Sequence, residues 1–379
     1  MNHNYNKKVK ILFIIGTRPE LIKLAVLIKL LKQQAWTEVT VLITAQHREL
    51  LDQMLSLHGI KADIDLNIMQ ENQDLSTLTG NLFIKTNALI REINPDIIFA
   101  QGDTTTVMVA SMVAFYTRIK FAHIEAGLRS HDLCNPFPEE LNRVITGLTA
   151  DFHFVPTAQD KLNLLDNKVS KKKIFIVGNT VIDNLLETSK KDIDICLNIP
   201  KNKKIILVTL HRRENFGEPL KNICSAICDI VKEFQDICVI YPVHPNPNVS
   251  SVVKDIMQDQ DRIILCDPLD YQQFIALMQK SYFILTDSGG VQEEAPVFGK
   301  PVLVTRDKTE RMESIKAGLS KLIGVDYSNV KKEIKNLLEN NGNYQSMSKK
   351  SFLYGDGKAS QRIMKTIKEH FIYNNVNIC

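Results

Sequence analysis

Two carboxylate-bearing stretches could handle protons. Glu125 ends the apolar run Phe-Ala-His-Ile at residues 121–124, Gly127 breaks it, and a polar loop with Pro136 and Pro138 leads to Glu139, Glu140 and Arg143. Asp103 stands in Gly102-Asp103-Thr104-Thr105-Thr106, a carboxylate beside three hydroxyls at a strand-to-helix turn. Carboxylates held on a rigid scaffold are the usual means of moving a proton on and off carbon. A threonine at such a turn is also a natural helix cap, and capping by one hydroxyl leaves Asp103 free for chemistry. His211, in His211-Arg212-Arg213-Glu214-Asn215, adds the side chain whose unperturbed pKa lies nearest neutrality, suited to carrying a proton or meeting a phosphate. Beside it, two arginines favour the neutral imidazole or bind an anion themselves; a solvated basic loop is the plain alternative.

Two further stretches point to an anion. In Gly16-Thr17-Arg18-Pro19-Glu20 the proline pre-sets a first helical turn, and Arg18 with Lys23 one turn on can reach an anion there. The motif is not Gly-x-Gly-x-x-Gly, so it gives a nicotinamide cofactor little support. A capped helix with surface charges is the competing reading. In Asp287-Ser288-Gly289-Gly290-Val291-Gln292-Glu293-Glu294 small residues open a helix, so backbone N–H groups and the Ser288 hydroxyl can approach a phosphate. Glu294, four residues beyond Gly290, is placed to bind a ribose hydroxyl pair. Pro245, Asn246 and Pro247 after His244 read as a rigid turn, and Glu310 and Arg311 are expected just past the last strand of their sheet.

The elements positioning these residues alternate. Apolar, β-rich runs at 9–15, 39–44, 96–101, 120–124, 152–155 and 174–177 are separated by helical patterns through residue 31 and over 75–92 and 107–116. That alternation predicts parallel βαβ units in a doubly wound sheet. Residues 178–183 are expected to carry the chain across, the lysine-rich stretch 190–204 marks a restart, and strands follow at 204–209, 239–243, 282–286 and 301–304. Residues 96–127 and 282–310 repeat one order of strand, polar turn, helix, basic turn and strand. The predicted architecture is α/β, with two Rossmann-like doubly wound domains facing across a cleft at their strand C-termini. The first spans residues 1–178 and the second, nucleotide-binding one 179–359; a final helix near 360–379 follows, whose return to the first domain is implied by family resemblance alone.

Composition fits an ordinary globular protein. Across 379 residues 44% are hydrophobic and 24% charged, ample for two cores. The net charge of +4 is small and scattered, which argues against a nucleic-acid binder. No stretch approaches a roughly 18-residue apolar span and the first ten residues are polar, so neither membrane nor export is predicted. The seven cysteines show no Cys-x-x-Cys spacing and read as thiols in a reducing cytoplasm, not as disulfides or a metal site.

Taken together, residues 16–23, 46–49, 102–106, 123–143, 211–217, 241–248, 287–296, 306–313 and 354–357 resemble the non-hydrolysing UDP-N-acetylglucosamine 2-epimerases, of the two-domain glycosyltransferase-B type. The resemblance implies a cofactor-free isomerase, usually a homodimer, that interconverts UDP-N-acetylglucosamine and UDP-N-acetylmannosamine for bacterial surface polysaccharide. It implies that Arg18, Lys23, Asp103, Glu125, Glu139 and His211 line the reaction centre. Phe274, Ser288, Gly289, Gly290, Glu294 and Arg311 would hold the nucleotide. Gln46, His47 and Arg48 match the region where bacterial members bind a second, activating substrate molecule. The chain departs from the pattern at Ala45, where glycine is usual, at Met312, where proline is expected, and across Leu133-Cys134-Asn135.

The family chemistry is elimination. A base takes the C2 proton while UDP leaves C1, giving 2-acetamidoglucal, and UDP adds back after a proton reaches the other face. This requires proton-handling groups on both faces of the ring and stabilisation of the departing diphosphate. Burial and like charge are expected to raise one of the three carboxylates toward neutrality. Rival readings are a hydrolysing relative that releases free N-acetylmannosamine, a non-catalytic UDP-sugar sensor, and a glycosyltransferase, for which no acceptor site is identifiable.

Overall fold

The computed structural model of the chain describes residues 8–44, 48–68 and 73–373, with the side chains of 48–50 left aside. It divides into two compact units. Unit 1 comprises Met1–Asn184 with Tyr354–Cys379, and unit 2 comprises Leu185–Leu353.

Unit 1 is built on seven strands: β1 (Val9–Ile15), β2 (Thr37–Ile43), β3 (Ile64–Asp65), β4 (Ile97–Gln101), β5 (Lys120–Ile124), β6 (Phe152–Val155) and β7 (Ile174–Ile176). All pair in parallel, in the order β3-β2-β1-β4-β5-β6-β7. Its helices are α1 (Arg18–Lys32), α2 (Arg48–His58), α3 (Leu75–Ile93), α4 (Thr105–Thr117), α5 (Glu139–Thr149), α6 (Ala158–Asp166) and the first half of α7 (Thr180–Thr188), which contains the unit boundary after Asn184. β1, Val-Lys-Ile-Leu-Phe-Ile-Ile, is apolar on both faces because helices cover both sides of a parallel sheet. Phe13 of β1 stacks on Phe99 of β4 with ring centroids 5.0 Å apart, both fully buried.

Unit 2 repeats the scheme with β8 (Lys204–Thr209), β9 (Ile237–Pro242), β10 (Ile263–Cys266), β11 (Phe283–Thr286), β12 (Val302–Val304) and β13 (Ser320–Leu322). The order is β10-β9-β8-β11-β12-β13, again parallel. Helices α8 (Glu218–Glu233), α9 (Pro247–Met257), α10 (Tyr271–Lys280), α11 (Gly289–Glu294), α12 (Met312–Lys316), α13 (Tyr327–Glu339) and α14 (Asn341–Met347) interleave with them. Alternation along β8 divides its residues between two cores: Ile206 and Val208 join one cluster, Ile205 and Leu207 the other.

The α/β class and the doubly wound sheets are those the sequence predicts. Several elements differ from expectation. The strands β3, β10 and β13 are not among those predicted, and β13 lies beyond β12, so β12 is not the last strand of its sheet. Residues 178–183 do not simply cross over. Thr180 opens α7, Asn179 N–H donates to the Tyr354 carbonyl at 2.6 Å, and Asp183 accepts from the Ala359 and Ser360 N–H groups at 3.0 and 2.6 Å. That carboxylate caps α15 (Ala359–Lys368), whose Ile363 and Ile367 are fully buried within unit 1. Gly178 meets Gly355 there, and a Cβ on Gly178 would stand 3.1 Å from the Gly355 Cα. Among the described residues no helix is long and apolar enough to cross a membrane, and no cluster of three His, Cys, Asp or Glu could hold a metal ion.

Candidate active site

Each sheet has one topological switch point, between β1 and β4 in unit 1 and between β8 and β11 in unit 2. Loops leaving such neighbouring strands diverge, and the crevice at their C-terminal ends is where open α/β sheets take ligands. The residues singled out from sequence gather at these ends.

In unit 1 the β1–α1 turn is tightly packed: a Cβ on Gly16 would stand 2.7 Å from the Thr106 hydroxyl. Glu20 folds back under the turn and accepts from the Gly16 and Thr17 N–H groups at 2.5 and 3.3 Å. Its burial raises its pKa to about 7, against the opposing pull of those N–H groups. Arg18 begins α1, and Lys23, one turn later, reaches Glu125 at 2.7 and 2.5 Å from the two carboxylate oxygens. Glu125 follows β5 with a φ of +62°, a left-handed conformation costly for a glutamate and typical of a functional position. Asn179 donates to it at 3.1 Å, and Gln101, the last residue of β4, donates to its Oε2.

Asp103 lies in the neighbouring turn, next to Gly102 with its φ of +84°. Arg143 of α5 donates to Asp103 Oδ2 from Nε and Nη2 at 2.9 and 2.6 Å. Asn142 donates to the Asp103 carbonyl at 2.8 Å, and Thr104 caps α4. The same guanidinium donates to Glu140 at 3.0 Å, and Glu140 accepts from the Ser130 and His131 N–H groups. Burial would raise Glu140, but those donors outweigh it and hold its pKa below the usual range. Glu140 therefore fastens the loop, while Glu139 begins α5 with its Oε2 buried and without a hydrogen-bond partner. Beneath the turn, His123 meets the Gly102 carbonyl at 2.7 Å, and burial lowers its pKa to about 4 despite that contact. A neutral imidazole facing a carbonyl must carry its proton on Nε2.

In unit 2, Asp287 follows β11 and is fully buried. It accepts from the His211 and Arg212 N–H groups at 3.0 and 2.9 Å and from the Asn215 amide at 3.0 Å. His211 Nδ1 lies 3.3 Å from Asp287 Oδ1, and the His244 ring stacks 6.0 Å away. The His211 pKa is lowered, chiefly by burial, with His244 and Arg212 assisting and Asp287 opposing. Ser288 precedes α11, a helix of six residues that continues as a 3₁₀ turn at Ala295–Phe298. So short a helix has a weak dipole; cationic charge comes from Arg311, whose Cζ lies 3.3 Å from where a Gly289 Cβ would be. Glu293 accepts from Arg311 Nε at 2.8 Å. Glu294 is buried on the same helix, and Phe274 of α10 packs at the edge of a core cluster. Glu310 accepts from Arg306 at 3.1 Å; burial alone would raise its pKa, yet this bond and the arginine charges bring it to about 2.

Unit 1 thus gathers Lys23, Asp103, Glu125 and Glu139 with Arg18 near by in sequence, and unit 2 gathers His211, Ser288, Gly289, Gly290, Glu294 and Arg311. Gln46 and His47 lie outside the described residues, as does the side chain of Arg48, which opens α2. Gln101, Arg143, Asn179 and Asp287 were given no site role from sequence. Their one signal is position: each stands at or beside a strand end or helix start that carries a motif.

Known proteins bear on this geometry. The family model described as UDP-N-acetylglucosamine 2-epimerase matches residues 29–368. A UDP-N-acetylglucosamine 2-epimerase of Bacillus subtilis (strain 168) is 48% identical over 368 residues, covering 97% of this chain and 97% of the relative. That of Campylobacter jejuni is 46% identical over 371 residues, covering 94% and 97%. The crystal structure of UDP-GlcNAc 2-epimerase from Neisseria meningitidis bound to UDP-GlcNAc matches with a TM-score of 0.89 and 42% identity, covering 95% of this chain and 100% of that one. The Methanocaldococcus jannaschii enzyme in complex with UDP-GlcNAc and UDP matches at 0.81 and 31%, covering 95% and 99%. This chain belongs to the UDP-N-acetylglucosamine 2-epimerase family.

Proposed function

We propose that the chain interconverts UDP-N-acetylglucosamine and UDP-N-acetylmannosamine without hydrolysis, by elimination and re-addition of UDP through 2-acetamidoglucal. The observation that carries this is the set of carboxylates at the unit 1 switch point, each in a different setting. Glu125 is tied to Lys23, Asp103 to Arg143, and Glu139 has an unengaged, buried oxygen. Moving a proton off and back onto C2 on opposite faces needs two groups that exchange protons, supported by fixed partners. We assign Asp103, Glu125 and Glu139 to those transfers and Lys23 and Arg18 to the developing negative charge. In unit 2, His211, Ser288, Gly289, Gly290 and Arg311 answer the diphosphate, with Glu294 on the ribose and Phe274 beside the base. The reading requires no cofactor, and its product suits surface-polysaccharide synthesis in the cytoplasm of a bacterium.

We further infer a homodimer. Ile84 of α3, Phe115 and Tyr116 of α4 and Leu148 of α5 are 61–71% exposed on helices that pack side by side. An apolar face spread over neighbouring helices is an association surface. Light scattering should give twice the chain mass, and Ile84→Lys with Phe115→Lys should give one. Gln46, His47 and Arg48 remain the proposed contacts of an activating second substrate molecule, which predicts sigmoidal rates in UDP-N-acetylglucosamine.

The test is proton NMR of the purified protein with UDP-N-acetylglucosamine and no additive. UDP-N-acetylmannosamine should accumulate to equilibrium with no free sugar. Release of UDP with free N-acetylmannosamine would replace the proposal with the hydrolysing reaction, and no turnover even with added effector would replace it with a binding role.

A further inference from the structure

Asp287 lies at the join between two turns of unit 2. Leaving β11, it is followed at once by Ser288-Gly289-Gly290; across the sheet, where Thr286 pairs with Thr209, it faces the chain leaving β8 toward His211. The carboxylate is fully buried. Oδ2 accepts from the His211 N–H at 3.0 Å, the Arg212 N–H at 2.9 Å and the Asn215 Nδ2 at 3.0 Å. Asn215 also donates to the Thr305 carbonyl at 3.1 Å, so the turn is fastened to the end of β12 as well. Arg212 Nε donates to the Asp287 carbonyl at 3.0 Å. Thr209 and Thr286 hydroxyls meet at 2.6 Å just below, and Ser288 N–H donates to the Thr286 hydroxyl at 2.9 Å. The other carboxylate oxygen, Oδ1, also accepts from the His211 backbone N–H, at 3.2 Å, and stands 3.3 Å from His211 Nδ1.

We propose that Asp287 is the positioning carboxylate of His211: it fixes the imidazole as the Nδ1–H tautomer, turns Nε2 outward, and holds that ring in fixed register with the Ser288-Gly289-Gly290 turn. This rests on the reading that His211 serves the departing and returning diphosphate. A carboxylate accepts hydrogen bonds and cannot donate them, so the imidazole nitrogen facing it carries the proton. Nε2 is then the free nitrogen, able to take a proton or, once protonated, to donate to a phosphate oxygen. The side chain is 44% exposed while its anchor is wholly buried, the arrangement in which a partner restricts a ring without covering it. His244, 6.0 Å away, and Arg212 are the other charged or titratable groups acting on the ring, and both oppose its protonation, which leaves Asp287 as the group favouring it.

The test uses the intact chain with ¹⁵N-labelled histidine, assigning His211 by the signal lost in His211→Gln. In the wild type the long-range ¹H–¹⁵N spectrum at high pH should show His211 as the Nδ1–H tautomer; the Nε2–H tautomer overturns the proposal with no variant needed. In Asp287→Asn, where the side chain can donate as well as accept, the tautomer should move toward Nε2–H and the His211 titration to lower pH. An unchanged tautomer and titration would overturn it too. Kinetically, Asp287→Asn should lower kcat about 100-fold in the wild-type background but less than about 3-fold on top of His211→Gln, because both changes remove one function. Equal losses in both backgrounds would show that Asp287 acts independently of His211. The NMR readouts need no turnover, so a failure of the epimerase reading is seen in the product assay and a failure of this inference in the spectra.

Discussion

The two switch points occupy the same topological place and carry different side chains. In unit 1, carboxylates project from the strand ends and are each met by a side chain from a distant element: Lys23 from α1 on Glu125, and Arg143 from α5 on Asp103. In unit 2 the corresponding carboxylate, Asp287, is fully buried and accepts from backbone N–H groups, while His211 and Gly290 are exposed. On the proposed reading, the unit 1 sheet end exchanges protons and the unit 2 sheet end holds an anion, a difference carried by a few residues at corresponding strand ends.

The largest effect should come from breaking the unit 1 side. Asp103→Asn and Glu125→Gln should each lower kcat by about 10³-fold or more, the scale of a lost acid–base group. UDP affinity by calorimetry should stay within about 3-fold of wild type in both, since the proposal assigns the nucleotide to unit 2 residues. Because Arg143 keeps Glu140 as a partner when Asp103 is neutralised, Asp103→Asn is expected to destabilise unit 1 only by the lost charged hydrogen bonds, about 1–2 kcal/mol. A melting curve alongside the kinetics separates the two effects. Loss of UDP binding in step with kcat, in a folded variant, would erase the division of labour.

Acid should also separate the units. His123 of β5 and His153 of β6 are cross-strand neighbours, 1% and 0% exposed, and burial lowers their pKa values to about 4 and about 3. Their folded values lie below the unfolded value near 6.5, so the unfolded chain binds more protons as pH falls beneath it. Stability should therefore decline from about pH 6.5 toward 3. Glu20 works the other way: its folded value of about 7 lies above the unfolded 4.5, so falling pH through that window adds stability. Two histidines outweigh one carboxylate, and the net loss below about pH 4.5 should be a few kcal/mol. Hydrogen exchange should show the unit 1 sheet losing protection on acidification before the unit 2 sheet, with His153→Phe reducing the loss. Equal loss in both units would contradict the assignment.

The smallest effect sharpens the unit 2 side. Gly289→Ala places a methyl 3.3 Å from the Arg311 guanidinium, closer than an ordinary contact, so Arg311 must shift. The expected result is a KM for UDP-N-acetylglucosamine raised about 10-fold, or roughly 1.4 kcal/mol, with kcat little changed. A fall in kcat alone would move this turn to the chemical step.

How far the sequence showed this depends on the distance over which each feature is encoded. Strands such as β1 and β8 and the helix from Leu75 to Ile93 were legible because apolar periodicity and caps are local. The location of the motifs was legible because each directly follows an apolar strand run, and strand C-termini are where open sheets take ligands. Arg143 on Asp103, and Gln101 and Asn179 on Glu125, were not legible, since those pairs span 24 to 54 residues and depend on the strand order. The buried role of Asp287 was hidden for the same reason: in sequence it is part of a phosphate-like motif, and only the pairing of β8 with β11 brings His211 over it. Residues 178–183 were read as the crossing between the domains, whereas they bond to the C-terminal segment and unit 1 runs on to Asn184.

The most direct test of the account is the fate of the C2 hydrogen. Wild-type protein should convert UDP-N-acetylglucosamine in deuterated water to UDP-N-acetylmannosamine carrying deuterium at C2, and Glu125→Gln should lose this exchange while still binding UDP. Product formed by the wild type with its original C2 hydrogen intact would contradict proton transfer by elimination, and with it the role given to the unit 1 carboxylates.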